Sequence, residues 1–148
     1  GLEALRASGS MPFVSRCVEL NNSKYLDGAI SDPIPIQKAL NDGYEKIVVV
    51  LTRPDGYRKH KDYMPYNLIY RKYPNFIKTA KKQYENYNKT LDIIKEYEKE
   101  GRIIVLRPSK RLKIARVEKN IKKLNAIYQL GVEDCSLNLD RIKKYLTI

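Results

Sequence analysis

Apolar residues follow two rhythms along this chain. Ile47-Val48-Val49-Val50-Leu51 and Ile103-Ile104-Val105-Leu106 are unbroken, largely β-branched runs, the pattern of strands buried on both faces of a parallel sheet. Between them Phe76, Ala80, Tyr84, Tyr87, Leu91 and Ile94 recur every third or fourth position, which predicts a long amphipathic helix that opens on Pro74, stops at Gly101 and packs over the sheet. Ile36 to Asn41, closed by Gly43, have the length and glycine stop of a short helix, and Pro33 and Pro35 exclude regular strand just ahead of it. Phe13 to Leu20 and Lys24 to Leu26 flank the turn cluster Asn21-Asn22-Ser23 and predict a hairpin. Leu2 to Ala7 read as the end of a helix, as in a chain cut from something longer. Toward the other end, Val117, Ile121, Leu124 and Tyr128 predict a helix closed by Gly131, and Val132 to Leu146 a last one. Strands alternating with helices imply an α/β layered domain with right-handed crossovers.

At 148 residues the default is one hydrophobic core. With 43% apolar and 31% charged residues the chain is neither disordered nor low-complexity, and its longest uncharged apolar run is too short to span a bilayer. The composition is that of a soluble globular protein. Two well-separated cysteines, Cys17 and Cys135, exclude a CxxC site and read as reduced core thiols. A single histidine, His60, excludes metal sites built on paired imidazoles; it sits in the polar stretch Arg58 to Asp62 and reads as solvated. The seven glycines have none of the spacings required by a phosphate loop, a dinucleotide fingerprint or a G-x-S-x-G nucleophile elbow.

The net charge of +12 is uneven: the chain is close to neutral up to Tyr57, and the excess of Lys and Arg lies from Arg58 onward. Such a field attracts nucleic acid, anionic lipid or acidic proteins and carries no information about fold. The run Lys110-Arg111-Leu112-Lys113 with Arg116, Lys119, Lys122 and Lys123 reads either as a solvated helix face or as a phosphate-binding stripe. Tyr84 and Tyr87, on the apolar stripe, read as core and not as a base-stacking platform.

Asp27-Gly28-Ala29 places a carboxylate just after a predicted strand, where open α/β sheets gather their ligands, followed by a residue that lets backbone approach closely. By itself an Asp-Gly pair is more often a plain turn. The longer string from Tyr25 through Asp27-Gly28-Ala29-Ile30-Ser31-Asp32-Pro33-Ile34-Pro35-Ile36, with Ala39-Leu40, Gly43-Tyr44, the strand from Lys46 to Thr52 with Arg53-Pro54, the upstream segment Ala7 to Pro12 and the downstream Arg107-Pro108, resembles the patatin-like phospholipase family in its bacterial intracellular branch. The resemblance implies a layered α/β/α domain with a mostly parallel central sheet, of which residues 1–148 would be the C-terminal portion with a helical extension. It implies a cytoplasmic serine hydrolase of lipid acyl esters that needs no cofactor and no metal and uses a Ser-Asp dyad. Asp27 matches the dyad aspartate, with Gly28 and Ala29 as the supporting motif residues.

That family's G-x-S-x-G serine and Gly-rich oxyanion loop precede the aspartate, and neither pattern occurs in this chain. The chain alone is therefore expected to be inactive, and to leave uncovered the apolar surface on which the other half would dock. Ser8 and Ser10 lack the flanking glycines of a nucleophile and are expected to shape the wall beside the site; Asp32 reads as a turn or cap residue ahead of Pro33. The expected partner is a lipid or other acyl-ester substrate, with weak contact to an anionic membrane surface. The rival reading is a non-catalytic basic module that binds nucleic acid or anionic membrane. Nucleic acid is the less expected of these, because the chain carries no nucleic-acid fold signature.

Overall fold

The computed structural model of the protein describes residues 1–115 and 118–147, so Arg116 of the basic run and Val117 of the expected helix start lie outside it. The elements are α1 (Leu2–Ser8), β1 (Val18–Leu20), β2 (Ser23–Tyr25), a 3₁₀ turn at Gly28–Ile30, α2 (Ile36–Asn41), β3 (Ile47–Val50), α3 (Tyr66–Ile69), α4 (Pro74–Lys99), β4 (Ile103–Leu106) and α5 (Ile121–Leu146). They divide into two units: residues 1–35 with 59–91, and residues 36–58 with 92–148.

The first unit is built on a hairpin and an aromatic cluster. β1 and β2 pair antiparallel with Leu20 opposite Ser23, so Asn21 and Asn22 form a two-residue loop. Both asparagines have positive φ, 48° and 59°, the geometry that a tight hairpin turn demands and that Asn tolerates better than most side chains. Tyr66 and Tyr70, one turn apart around α3, are buried with Ala80, and Phe13, Leu26, Ile30, Phe76 and Ile77 pack against them. Phe13 lies 5.1 Å from the Tyr66 ring and 5.4 Å, edge to face, from Tyr70. Its φ of +66° is unusual for a bulky residue. The ring contacts hold that conformation, together with the Phe13 N–H donated to the Tyr70 hydroxyl at 3.0 Å.

In the second unit β3 and β4 pair in parallel, Ile47 opposite Ile103 through Val50 opposite Leu106, and Leu51 N–H extends the ladder to the Leu106 carbonyl. The burial expected of both strands holds only for β4, where Ile103, Ile104 and Val105 are buried. On β3 Val49 is buried but Val50, which points to the opposite face, is 70% exposed, so that face is left uncovered at the end of the strand. Among the described residues there is thus one parallel pair and one antiparallel hairpin. The chain is a mixed α and β structure, and the layered sheet expected from the sequence is not formed by these residues.

The helix expected from Pro74 is α4, and its inward stripe has the anticipated spacing, with Ala80 and Ile94 buried and Phe76, Tyr84, Tyr87 and Leu91 half-buried. The first turns of that stripe pack into the aromatic cluster of the first unit, where packing over the parallel strands was expected. Gly101, at φ +72°, closes it. The two helices expected around Gly131 are one: α5 runs through the glycine. A lone helical glycine costs only about 1 kcal/mol, and without a left-handed turn or a following proline it does not stop a helix. Asn120 starts α5 instead, its side chain accepting the Lys123 N–H at 3.2 Å. The basic run ahead of it therefore lies largely in irregular chain and not on a helix face.

The end of α5 is pinned to the starts of both parallel strands by one hydroxyl. Tyr145 Oη accepts the Ile47 N–H at 3.0 Å and donates to the Arg102 carbonyl at 2.6 Å. Glu98 accepts from Arg107 at 2.7 Å and Arg141 at 3.2 Å, tying α4, β4 and α5 within this unit. The two cysteines are free; Cys17 is half-buried, but Cys135 is exposed on α5 and is no core thiol.

Candidate active site

Asp27 lies two residues beyond β2, so it leaves a strand as expected, but that strand belongs to the antiparallel hairpin. Its backbone N–H donates to the Ser10 carbonyl at 2.8 Å, which fastens the turn to the chain just after α1. Ser10 is buried, and its hydroxyl donates to the Arg6 carbonyl at 2.7 Å, capping the end of that helix. The structure thus brings Ser10 to Asp27 through its carbonyl while the Ser10 hydroxyl is turned to the helix, and it leaves Ser8 exposed. Ser10 lies beside the Asp27 turn, and among the described residues no hydrogen bond brings Ser8 to it.

The side chain of Asp27 caps the 3₁₀ turn, with Oδ1 accepting the Ala29 N–H at 2.8 Å. Backbone bonds continue the turn from Ile30 N–H to the Asp27 carbonyl and from Ser31 and Asp32 N–H to the Gly28 carbonyl. Asp32 is exposed and serves the turn, as read from the sequence. Gly28 is exposed, and a Cβ there would meet nothing within 4 Å. Asp27 is half-buried and, among the described residues, takes part in no ion pair. The carboxylate is therefore oriented by backbone alone, with one oxygen engaged by Ala29.

A residue that sequence reasoning missed supports this turn from behind. Gln83, buried on α4, donates through Nε2 to the Ala29 carbonyl and accepts through Oε1 from Lys59 Nζ at 2.7 Å. Asn88, five residues further along α4, exchanges two hydrogen bonds with the Lys59 backbone, at 2.8 and 2.9 Å. The signal was present in the sequence: a glutamine among Phe76, Ala80, Tyr84 and Tyr87 is a polar side chain on an inward stripe, and such a group is retained only where it finds partners. His60 is exposed and outside this arrangement.

The second unit contains an apolar groove of about 310 Å³ at the C-terminal ends of β3 and β4, lined by Leu51, Thr52, Leu106, Pro108, Leu130 and Cys135 among others. Arg107 and Asp134 supply its polar edge, and Asp134 accepts the Ser109 N–H at 3.0 Å. Hydrogen bonds from Ser109, side chain and backbone, hold the Asp134 carboxyl below its ordinary pKa.

Residues 2–40 match the family model described as patatin-like phospholipase, a stretch that contains Asp27-Gly28-Ala29. The likeness is confined to this N-terminal stretch, where a resemblance over most of the chain was expected; Gly43-Tyr44, Arg53-Pro54 and Arg107-Pro108 fall outside it. Over 54 residues the chain is 43% identical to the "Uncharacterized protein YjjU" of Escherichia coli (strain K12), an alignment covering 36% of this chain and 15% of that protein. The chain thus spans only a small part of the length of that curated relative. Residues 73–147, just over half of the chain and including all of α4, β4 and α5, match a second model, and by that match the chain belongs to the family described as a domain of unknown function (DUF6363).

Proposed function

We propose that this chain supplies the aspartate of a patatin-like serine hydrolase acting on lipid acyl esters. The observation that carries this reading is that Asp27-Gly28-Ala29 lies inside the stretch matching patatin-like phospholipases. The turn geometry agrees with it. A carboxylate of pKa about 3.9 is a poor base for a serine hydroxyl, so proton transfer is productive only if the carboxylate is held within about 3 Å of the hydroxyl and shielded from water. Asp27 is held by the Ala29 and Ser10 backbone with Gln83 behind the turn, and it is not neutralised by a lysine or arginine among the described residues.

In this reading a serine on a nucleophile elbow outside these 148 residues loses its proton to Asp27 as it attacks the ester carbonyl. Backbone donors of a Gly-rich loop, also outside them, stabilise the tetrahedral oxyanion. The alcohol departs with that proton, and water, activated by the same carboxylate, releases the acyl group. The layered α/β/α sheet belongs to that larger assembly, in which this chain is the C-terminal portion. No cofactor or metal takes part, and the protein acts in the cytoplasm. No described helix is long and apolar enough to cross a membrane.

The test is Asp27→Asn in a longer protein that carries both this chain and the nucleophile. Turnover of a short-chain ester should fall about 10²–10⁴-fold with the thermal transition unchanged, the usual range for loss of a general base. The 148-residue chain alone should show no hydrolysis above background. Near wild-type turnover in the variant, or hydrolysis by the chain alone, would overturn the assignment.

A further inference from the structure

Between Lys61 and Lys72 the chain presents apolar side chains to solvent in an unusual concentration: Tyr63 is 90% exposed, Leu68 77%, Ile69 57% and Met64 44%. The backbone that carries them is not loose. Pro65 forms a tight turn in which Tyr66 N–H donates to the Met64 carbonyl at 2.8 Å, and α3 follows at once. Tyr66 and Tyr70 on either side of Leu68 and Ile69 are buried in the aromatic cluster, and the Tyr66 hydroxyl donates to Asp62 at 3.0 Å. The exposed side chains are thus displayed by a turn anchored through its own neighbours. Leaving large aliphatic groups in water this way is costly unless something covers them.

The charges around the turn indicate what does. Lys61, Arg71 and Lys72 flank it, and Lys78, Lys81 and Lys82 follow on the first turns of α4; all six are exposed, and none is in an ion pair among the described residues. The acidic groups nearby in sequence are Asp62, which accepts from Tyr66, and Glu85, which accepts from the Tyr84 hydroxyl. Unneutralised lysines and arginines around exposed Leu, Ile, Met and Tyr are the complement of an anionic bilayer surface: cations reach phosphate and carboxylate headgroups while apolar side chains enter the acyl boundary. A nucleic acid would use the charge but give Leu68 and Ile69 no partner.

We propose that the Tyr63 to Ile69 turn inserts into the surface of membranes containing anionic lipid, with Leu68 and Ile69 as the penetrating residues and Lys61, Arg71 and Lys72 as the headgroup contacts. The proposal does not rest on the hydrolase reading, because vesicle binding requires no catalysis.

Because the chain lacks tryptophan, Leu68→Trp gives a single reporter at the point of insertion. With phosphatidylcholine vesicles containing phosphatidylserine its emission should shift to the blue and be quenched by bromine-labelled acyl chains, with no change on phosphatidylcholine alone. In co-sedimentation with the same vesicles, Leu68→Ser/Ile69→Ser should weaken binding by at least about tenfold, as expected for removing two buried aliphatic side chains. Each of Lys61→Gln, Arg71→Gln and Lys72→Gln should weaken it about fivefold, and salt should weaken it further. Thermal melts of the free variants should match the parent, since every substituted side chain is exposed. Unshifted Trp emission, or vesicle binding indifferent to the double serine variant, would overturn the proposal. So would a double variant that changed only the oligomeric state or the capture of an acidic protein, which would make the turn a protein interface.

Discussion

The Tyr145 hydroxyl is the most economical tie in the second unit, because one proton and one lone pair satisfy the Arg102 carbonyl and the Ile47 N–H at the starts of two strands. Tyr145→Phe keeps the ring, and with it the Lys46 ammonium 4.8 Å from its centroid, but strands both backbone groups. It should cost about 0.5–1.5 kcal/mol in denaturant unfolding, the net range for a hydrogen bond lost where water can still reach the partners; no measurable loss would show that water fully replaces the hydroxyl. Gly131 is the opposite case. It lies inside α5 with nothing within 4 Å of the place an alanine methyl would take, so Gly131→Ala should raise stability by about 0.5–1 kcal/mol, and a loss would mean that the groove beside it needs the space. At this scale the candidate site was half legible. Asp27 and its motif stand together in the sequence and fold into one turn, whereas Gln83 reaches that turn from 54 positions away and is itself held by Lys59, a proximity that only tertiary structure creates.

Elements show where local pattern suffices. The hairpin needed only Asn21 and Asn22, which accept positive φ; α4 needed only its periodicity between Pro74 and Gly101. α5 departed from the pattern because one glycine is too weak a stop, and because its start is set by side chains that satisfy backbone donors. Asn120 accepts the Lys123 N–H, and Glu118 accepts from the Asn120 and Lys119 N–H groups. Those bonds, the Asn120 one foremost, hold the Glu118 carboxyl below its ordinary pKa, as Ser109 does for Asp134. A depressed carboxylate stabilises the fold fully above its unfolded pKa and loses that contribution as pH falls through the folded value. Lowering pH from about 6 to about 3 should therefore reduce the melting temperature, and Glu118→Gln/Asp134→Asn should flatten that decline. An equally steep decline in the double variant would assign the acid sensitivity to other carboxylates, such as Asp92 beside Arg58.

For the whole molecule, the boundaries drawn by family likeness and by packing differ, and the difference can be measured. The match to the domain of unknown function begins at residue 73, but the second unit takes residues 36–58 from before that point, and with them β3. Excised alone, residues 73–147 would leave β4 without its parallel partner, exposing Ile103, Ile104 and Val105, which are buried in the chain as it stands. Tyr145 would lose the Ile47 N–H, and Arg107 its second carboxylate, Asp55. A short strand with no neighbour does not persist in water, and two helices that bury one face each gain too little from what remains. Residues 73–147 should therefore retain helical circular dichroism but unfold without a cooperative thermal transition, whereas residues 36–147, which restore β3, should regain one. A sharp transition in 73–147 at the temperature of the longer piece would show that α4, β4 and α5 form a core of their own, with β3 an ornament on its edge.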